Sequence, residues 1–499
     1  MKTNPCPPLP SLRRWQVARL RRYLRETVLP FSAHYAALFR REGLDPAQIK
    51  TEDDLRRIPF TSKADFTATA GEPDPVRAFV LQPDRAVLAR RFSTFRRALL
   101  HGRRAVEEGF EREFRPLFLT STTGRSAEPV PFLYTAHDIE NLKRAGHRVM
   151  EVCAATRGMR MVNLFPFAPH LAFWLTHYAG TEFGVFVVST GGGKTLGTDG
   201  NLRLIRKIRP DVVIGMPTFI YHVLTEAVHE GLELPNLQKI VLAGEKTPTG
   251  MRRKLRELAR ALGAPQVEVL RTYGFTEAKL AWAECPYDED AGSAGYHVHP
   301  DLAFIEIVDP ATGEPCGEGE PGEIVMTPLD ARGSVVVRYR TGDVIDGGLF
   351  YERCPFCGRA VPRLMGEISR RSDVRDLHFE KLKGTLVDFN HLEHVLDNAA
   401  HVGTWQIELR KMHDDPMEVD EIVLHVSKSD DCDEDTLRAR LSSQFAAGTE
   451  LHPNRVEFHS EAGMRELQGV GTALKEMRVV DHRPASRGAP SPNPEISHD

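Results

Sequence analysis

Short apolar runs alternate with helical stretches in the middle of the chain, and this alternation constrains the fold more than any other feature. The runs 212–216, 240–243 and 267–270 are each followed by Gly, Pro or polar turns, and a helical pattern over 251–262 separates two of them. Such brief apolar runs are typical of parallel strands buried on both faces. The sequence therefore predicts an α/β fold in which ligands bind beyond the carboxyl ends of the strands.

The segments on either side of this alternation differ in pattern. Residues 11–45 have a helical pattern with an apolar stripe and a basic outer face. From residue 303 onward, the runs 304–308, 323–327 and 335–339 are typical of strands in an antiparallel unit. We therefore expect a large N-terminal domain that contains several subdomains and mixed sheets.

The end of the chain has the pattern of a smaller α+β unit. We expect strands over 405–409, 422–426 and 456–458, with a helix over 436–445. The Pro- and Ser-rich end is typical of a disordered segment. The expected division is a large domain over 1–370, a small C-terminal domain over 371–483 and a disordered tail over 484–499.

Composition limits the partners of the chain. Its 499 residues are 41% hydrophobic and 27% charged, with a net charge of -4, as in ordinary globular proteins. No global positive charge favours nucleic acid, and no apolar run approaches the roughly 20 residues that span a bilayer. The N-terminus lacks a signal-peptide core, and seven cysteines make no disulfide framework. We expect a cytoplasmic protein with no nucleic-acid or membrane partner, and leave open whether it is a homodimer.

The motif TSTTGR is the first of four short motifs with a chemical interpretation. Backbone amides and hydroxyls in a loop can hold phosphate oxygens, and an arginine adds positive charge. A plain Ser/Thr-Gly turn is the alternative. The candidate phosphate-binding residues are Thr120, Ser121, Thr122, Thr123, Gly124 and Arg125.

Two further motifs, YGFTEA and YRTGDV, carry groups that suit the rest of a nucleotide. Tyr273 can stack on adenine, and Glu277 is a hard oxygen ligand for the Mg²⁺ that phosphates also hold. Asp343 follows a strand and a turn, where a carboxylate can accept from two ribose hydroxyls. The alternatives are a core tyrosine beside a surface glutamate, and an aspartate that caps turn amides.

The fourth motif, GTALKEMRVVD, places Lys475 near the end of the chain. Charge builds on phosphoryl oxygens when a carboxylate attacks ATP, and a lysine aimed there stabilises that state. A solvated surface lysine is the alternative for this residue alone. Together, the four motifs predict an enzyme that makes acyl-adenylates from a small carboxylic acid and ATP.

In this order, the motifs resemble the adenylate-forming superfamily of acyl-CoA synthetases and firefly luciferase, and most of all its phenylacetate-CoA ligase group. The likeness extends over residues 12–483 and includes the segments DDLRRIPFTSKADF, NLFPFAPHLAFW and RRSD. It implies that acyl-AMP forms first and that coenzyme A then displaces AMP. By the same resemblance, residues 1–370 form a nucleotide- and acyl-binding domain, and residues 371–483 form a small mobile domain. It also implies a hinge at Asp373, a nucleotide contact from Arg371, and an adenine site lined by Gly244, Glu245 and Lys246. Gly274 is expected to bind the nucleotide, and Thr276 is expected to be catalytic together with Glu277 and Lys475.

The chain departs from that family pattern at two places. Ser121 stands where the phosphate loop normally has glycine, and Arg125 stands where it has lysine. The stretch after residue 373, which contacts coenzyme A or pantetheine in relatives, contains extra residues before Gly384. Transfer to an amine, a carrier-protein thiol or another acceptor is therefore the alternative, and a degenerate nucleotide-binding relative is another.

The spacing of cysteines predicts a metal site. Cys354 and Cys357 form a CxxC knuckle, and Cys285 with His297 could complete a tetrahedral Cys₃His set, with His299 as the second choice. Some members of the resembled group carry such a site at matching positions. The expected ion is a structural Zn²⁺, and the alternative is a pair of reduced cysteines in a tight turn.

An aromatic cluster predicts the acyl pocket. Aromatic linings suit aryl or arylalkyl acids, although core packing also produces such clusters. The candidate substrate-binding residues are Phe165, Phe167, His170, Phe173 and Trp174.

Overall fold

The computed structural model describes residues 8–66, 75–122, 129–288, 291–370, 374–380, 383–412, 420–429, 432–449, 452–470 and 476–483. The chain divides into two compact units, Met1–Ser372 and Asp373–Asp499. From the sequence we expect this boundary after residue 370, and the functions assigned to the two domains stay a prediction.

The first unit combines helices and strands throughout its described residues. Its helices are α1 Leu9–Tyr23, α2 Leu29–Phe31, α3 Ala33–Arg41, α4 Arg85–Ala89, α5 Phe92–Phe114, α6 Ala136–Val152, α7 Leu171–Phe183, α8 Gly192–Ile208, α9 Pro217–His229 and α10 Thr249–Ala261. Its strands are β1 Pro116–Ser121, β2 Pro131–Thr135, β3 Arg160–Asn163, β4 Phe186–Ser189, β5 Val212–Gly215, β6 Lys239–Leu242, β7 Glu268–Phe275, β8 Leu280–Ala283, β9 Tyr296–His297, β10 Ala303–Val308, β11 Gly322–Pro328, β12 Tyr339–Ile345, β13 Leu349–Phe350, β14 Arg363–Leu364 and β15 Ile368–Arg370.

The second unit contains a four-stranded sheet and a separate two-stranded sheet among its described residues. Its strands are β16 Val374–Glu380, β17 Lys383–Asp388, β18 Val402–Lys411, β19 Asp420–Lys428, β20 Arg455–His459 and β21 Val479–Asp481. Its helices are α11 Phe389–Asp397, α12 Glu434–Thr449 and α13 Glu461–Leu467.

The largest sheet among the described residues has the strand order β13-β14-β9-β8-β7-β6-β5-β3-β4. Strands β4, β3, β5, β6 and β7 are parallel, and β8 then joins β7 antiparallel. Every residue of β5 and β6 is buried, because helices cover both faces of a parallel sheet. The predicted α/β fold with mixed sheets is confirmed.

Helix α10 illustrates how the sequence builds the layer beside this sheet. Its buried residues Met251, Leu255 and Ala259 recur every four positions and form one apolar stripe.

Helices α6 and α7 pack closely against each other. A Cβ added at Gly146 would lie 2.8 Å from the Cα of Ala179, so only glycine permits this approach.

A second sheet has the order β10-β11-β12-β15 and is antiparallel. The prediction of a strand over 335–339 is wrong, since β12 begins only at Tyr339. Arg338 has a φ of 48°, which breaks the extended run. The preceding apolar residues instead meet the N-terminal segment, where the amide of Val335 donates to the carbonyl of Phe79 at 2.8 Å.

The N-terminal helical region is divided where a single helix over 11–45 was predicted. A π-helical turn, Leu24–Val28, joins α1 to α2, and Ser32 then has extended backbone angles and caps α3 through the amide of Tyr35. Pro30 lies just before this break, and it lacks the backbone N–H that a continuous helix would use there. The predicted apolar stripe is buried nonetheless.

No helix of the described residues is long and apolar enough to cross a membrane.

In the second unit, β20, β19, β18 and β21 form one sheet in that order. Side chains alternate along its strands, so Trp405, Ile407 and Leu424 lie in the apolar core with α11 and α12. The opposite face is polar and is contacted by α13, where Gln406 Nε2 donates to the carbonyl of Leu467 at 2.9 Å. The predicted strands and helix of this unit are all present, each a few residues longer than expected.

Candidate active site

The candidate site begins at the carboxyl ends of the parallel strands. Gly244, Glu245 and Lys246 follow β6 directly, and Gly244 has a φ of 87°, a conformation that favours glycine. The hydroxyl of Thr218, in the first turn of α9, donates to Glu245 at 2.9 Å. A carboxylate is favoured at a helix N-terminus, so this bond holds the loop against α9.

Tyr273 and Asp343 come from different sheets and meet at this edge. The Tyr273 hydroxyl donates to Asp343 Oδ2 at 2.8 Å, and Arg370 Nε lies 2.8 Å from Asp343 Oδ1. Burial, and then the Asp343 carboxylate, raise the pKa of Tyr273, so its hydroxyl stays a donor.

The next residue, Gly274, is exposed. A Cβ at this position would lie 2.7 Å from the Leu280 carbonyl oxygen, so there is no room for a side chain.

Glu277 and the half-buried Thr276 lie in a 3₁₀ turn after β7. The Tyr339 hydroxyl donates to Glu277 Oε1 at 2.7 Å, and the Tyr339 ring stacks at 6.4 Å on Phe275. Burial raises the pKa of Glu277 although this hydrogen bond opposes the shift. The structure thus brings Glu277 close to the pair of Tyr273 and Asp343.

The strands β1 and β2 form the hairpin that holds the predicted phosphate loop. Thr120 is buried and its hydroxyl lies 3.0 Å from the Tyr134 hydroxyl, inside the fold. Thr122 closes the hairpin, because its amide donates to the Val130 carbonyl and its hydroxyl accepts from the Val130 amide, both at 3.0 Å. The hydroxyls of Thr120 and Thr122 are therefore engaged in supporting the hairpin.

The hairpin is bonded to the segment that carries the predicted acyl pocket. The amide of Ser121 donates to the Pro169 carbonyl at 2.6 Å. His170 Nδ1 lies 3.2 Å from the Ser121 carbonyl oxygen. The predicted phosphate and acyl regions are therefore adjacent in the fold.

Aromatic rings form a continuous cluster next to this hairpin. Phe173 contacts Phe167 at 5.3 Å and Trp174 at 5.2 Å between ring centroids, and Trp174 meets Phe118 at 5.2 Å. A cavity of about 560 Å³ is lined by Phe118, Phe167 and Trp174 among others. Phe173 belongs to this cluster, but it is buried and does not line the cavity.

Phe165 occupies a different position from the other aromatic residues of this segment. It is buried, and its ring edge lies 4.0 Å from where a Cβ on Gly244 would stand. Met216, after β5, lies 3.6 Å from the same point. Phe165 therefore adjoins the predicted adenine loop.

Three cysteines and one histidine converge beside β9. Cys285 Sγ lies 3.7 Å from Cys354 Sγ, and Cys357 Sγ lies 3.2 Å from His297 Nε2. All four donor atoms lie within 4.8 Å of one another. The other ring nitrogen of His297 lies 3.2 Å from the Ala283 carbonyl, the usual orientation of a metal-binding histidine.

His299 lies outside this cluster, with Nε2 3.1 Å from the Ala281 carbonyl. The structure thus brings His297, and not the second-choice histidine, to the cysteines. Burial lowers the pKa of His297 to about 4. Its imidazole is therefore neutral at neutral pH, which is the form that binds metal.

A buried ion network lies directly beside the cysteine cluster. Glu284 precedes Cys285 and is fully buried. Arg271 donates to Glu284 Oε1 from Nε at 3.1 Å and from Nη2 at 2.8 Å, and it also pairs with Glu367. Arg252 approaches the same carboxylate at 3.9 Å. These contacts compensate a charge that would otherwise be costly to bury.

Part of the predicted site lies outside the described residues, and part of the described site was not predicted. Outside lie Thr123, Gly124, Arg125, Arg371, Asp373 and Lys475. Their roles stay predictions. Sequence reasoning missed Arg370, Tyr339 and Thr218. Tyr339 opens the YRTGDV motif and Arg370 opens RRSD, so both belonged to motifs already singled out.

Comparisons with known proteins show what the chain is similar to. The model of the AMP-binding enzyme family matches residues 135–328. The chain is 28% identical to the phenylacetate-coenzyme A ligase of Thermus thermophilus over 377 residues, which cover 75% of this chain and 72% of the relative. It is 24% identical to the phenylacetate-coenzyme A ligase of Escherichia coli, over 72% of each chain.

The fold has a solved counterpart. It is similar to 2-hydroxyisobutyryl-CoA ligase in the postadenylation state in complex with 2-HIB-AMP, with a TM-score of 0.73, 19% identity, and coverage of 95% of this chain and 90% of the other. The matched family region includes Glu277 and the loop after β6. The chain thus contains a region that matches the AMP-binding enzyme family and is similar to phenylacetate-coenzyme A ligases over 72–75% of its length, and these likenesses support an AMP-forming acid–thiol ligase.

Proposed function

We propose that this ligase activates an aryl or arylacetic acid with ATP and passes the acyl group to coenzyme A. The observation that carries the choice of acid is the aromatic-lined cavity that shares Pro169 with the hairpin of the phosphate loop. An aryl group in this cavity would place its carboxylate toward that loop. Offset and edge-on ring contacts favour an aromatic guest over an aliphatic one of equal size.

The chemistry proceeds in two displacements. A carboxylate oxygen of the acid attacks the α-phosphorus of ATP, the bond to the leaving pyrophosphate breaks, and acyl-AMP forms. The sulfur of coenzyme A then attacks the acyl carbon, AMP leaves with the electron pair of the broken C–O bond, and the thiol proton passes to solvent. Positioning and charge stabilisation are what a protein contributes to such a transfer.

The nucleotide is proposed to lie along the strand ends. In this arrangement the face of Tyr273 stacks on adenine, and Asp343 accepts from the ribose hydroxyls. Arg370 and the Tyr273 hydroxyl support this assignment, because they fix the Asp343 carboxylate from two sides. Gly274, which has no room for a side chain, leaves backbone open to the nucleotide.

Glu277 is the residue we propose to hold Mg²⁺. Carboxylate oxygens suit this ion, which supplies charge neutralisation to the phosphates when bound. Tyr339 orients the carboxylate through Oε1, so Oε2 is the oxygen left for the ion. Lys475 is the proposed partner of the α-phosphate in the transition state, with Asp373 as the hinge.

Coenzyme A is the proposed acceptor. The stretch after residue 373 that departs from the family pattern forms the antiparallel strands β16 and β17, with a register shift between Leu377 and Glu380. This insertion keeps an amine or a carrier-protein thiol as the alternative acceptor.

A structural Zn²⁺ is proposed for the cluster of Cys285, His297, Cys354 and Cys357. The three thiols and one imidazole form a closed four-ligand set, which is typical of structural rather than catalytic zinc. Such an ion would link β9 to the CxxC turn.

The choice of acid is tested by comparing kcat/KM for aryl, arylacetic and aliphatic acids of matched size. We expect aromatic acids to be preferred by at least about 10-fold, from ring contacts of roughly 1 kcal/mol each. Trp174→Leu should reduce this preference. Phe186→Leu is the matched control, since Phe186 is an exposed aromatic residue on β4 and does not line the cavity. Equal rates for aliphatic and aromatic acids would contradict the proposal.

A further inference from the structure

We infer that the polar face of the sheet in the second unit contains a divalent-cation site formed by His425, Glu457 and His459. The ion would be a borderline transition metal such as Zn²⁺, which imidazole and carboxylate ligands suit. This site is separate from the cysteine cluster, and it goes beyond the proposed function.

The site follows from strand register. His425 on β19 pairs with Glu457 on β20, and Ser427 pairs with His459, in a parallel ladder. Residues paired or two positions apart on neighbouring strands lie on one face of a sheet. The register therefore places all three side chains on the same face.

The separations of the donor atoms fit one small ion. His425 Nδ1 lies 3.0 Å from His459 Nε2 and 3.5 Å from Glu457 Oε2, and the latter two atoms are 3.9 Å apart. The circle through three such points has a radius of about 2.0 Å, which is the usual length of a Zn–N or Zn–O bond. One ion could thus contact all three atoms without a change of backbone.

A carboxylate behind His425 supports the same inference. His425 Nε2 lies 3.1 Å from Glu408 Oε2 on the adjacent strand β18. Metal-binding histidines commonly donate their second ring N–H to a carboxylate, which fixes the tautomer and the ring orientation. When Nε2–H is donated to Glu408, the lone pair of His425 is on Nδ1, which is the atom that faces His459 and Glu457.

Burial and charge at the cluster also suit a bound cation. His425 is buried, whereas Glu457 and His459 are partly exposed, so a fourth position is open to water. Arg455 Nη1 lies 3.7 Å from the other carboxylate oxygen of Glu457, and Arg455 is also paired with Glu421 at 3.0 Å.

The ion would join an edge strand to the interior of the sheet. Strand β20 is at one edge, and β19 is its neighbour. A metal bound across them would add a link to backbone pairing, and such a link stabilises the folded state by mass action. The inference therefore predicts that Zn²⁺ stabilises the second unit.

The test is equilibrium dialysis of the full, chelator-treated chain against Zn²⁺, with bound metal counted by elemental analysis. His459→Gln and Glu457→Gln both alter partly exposed side chains, so two independent variants should fold. His482→Gln is the matched control, because His482 Nε2 lies 3.7 Å from Glu408 Oε1 but His482 is not one of the proposed metal ligands. Bound Co²⁺ distinguishes the sites, since the cysteine cluster gives sulfur-to-metal charge-transfer bands and this cluster does not.

We expect each of the two variants to bind one Zn²⁺ fewer than the wild type, with unchanged charge-transfer bands from Co²⁺. Glu408→Gln should weaken this binding about 10- to 100-fold, as is typical when the carboxylate behind a ligand is lost. The His482→Gln control should keep the full number of ions. Equal zinc content in the wild type and both variants, with all of them folded by circular dichroism, would overturn the inference.

Discussion

The Tyr273 hydroxyl donates a hydrogen bond to Asp343 Oδ2 at 2.8 Å, and this contact joins the two sheets of the first unit at the candidate site. Arg370 occupies the other oxygen of the same carboxylate. Two donors fix both the position and the plane of the Asp343 side chain. The carboxylate proposed to bind ribose is thus held in place before any nucleotide arrives.

Asp343→Asn is expected to weaken the use of ATP. An amide cannot accept from two ribose hydroxyls and two protein donors as the carboxylate does, and hydrogen bonds to charged groups contribute about 1.5–3 kcal/mol. KM for ATP should therefore rise about 10- to 100-fold, as measured by steady-state kinetics.

Tyr273→Phe is the control for this prediction. It keeps the ring that is proposed to stack on adenine and removes the hydroxyl that donates to Asp343, so a smaller rise in KM is expected. An unchanged KM in Asp343→Asn would show that this carboxylate does not bind the nucleotide.

Much of the fold was predictable because its signals are local. The buried strands β5 and β6 are uninterrupted apolar runs, and α10 has one clear stripe. The exceptions depend on distant partners. The run before Tyr339 is as apolar as a strand, but its amides bond to the N-terminal segment, and the backbone of Arg338 ends the extended conformation.

Acidification should lower the free energy of unfolding, because the carboxylate of Asp330 becomes protonated. His137 Nε2 lies 3.1 Å and Arg332 Nη1 lies 3.3 Å from its carboxylate. Burial opposes ionisation, but these groups lower the pKa of Asp330 to about 2. The unfolded value is higher, so ionised Asp330 stabilises the fold above about pH 4, and this contribution is lost as pH falls toward about 2.

The expected contribution of Asp330 is about 2 kcal/mol at neutral pH, of which about half is lost by pH 3. Urea unfolding at pH 7 and pH 3 measures it, with Asp330→Asn for comparison. Asp53→Asn is the control, because Asp53 is 81% exposed in its ion pair. An equal loss of stability on acidification in the wild type and Asp330→Asn would contradict this account.

Zinc removal should destabilise the first unit. Cys357→Ser replaces one of four ligands, and a structural zinc site contributes directly to folding free energy. We expect one zinc ion fewer per chain and a lower Tm than in the wild type. Cys316→Ser is the control, since Cys316 lies outside the cluster. Equal zinc content in Cys357→Ser and the wild type would contradict the proposal that this cluster binds zinc.

Arg271→Leu should be strongly destabilising. It leaves the fully buried Glu284 without its main partner, and breaking a buried ion pair from one side costs about 3–5 kcal/mol. Arg103→Leu removes an exposed pair with Glu107 at 3.1 Å, which typically contributes about 0–1 kcal/mol. Similar free energies of unfolding for the two variants would contradict the importance of this network.

The sequence indicated which residues have the chemistry to bind a nucleotide, but it gave little indication of which side chains contact one another. Tyr273, Glu277 and Asp343 stand out because their chemistry suits a nucleotide. Arg370 does not, since an arginine in an Arg-Arg pair gives no sign of which residue faces inward. Only the pairing of β12 with β15 brings Arg370 to Asp343.

The most direct test of the central claim is pyrophosphate release from Mg-ATP, measured with a panel of acids and with or without coenzyme A. We expect release to require an aromatic acid and to become multi-turnover only with coenzyme A. Lys475→Ala should lower the rate about 100-fold or more, from the loss of roughly 3 kcal/mol of transition-state stabilisation. Lys207→Ala, which removes an exposed lysine of α8, should leave it unchanged. Acid-dependent release that is equally fast in Lys475→Ala, or no release with any acid, would contradict the account.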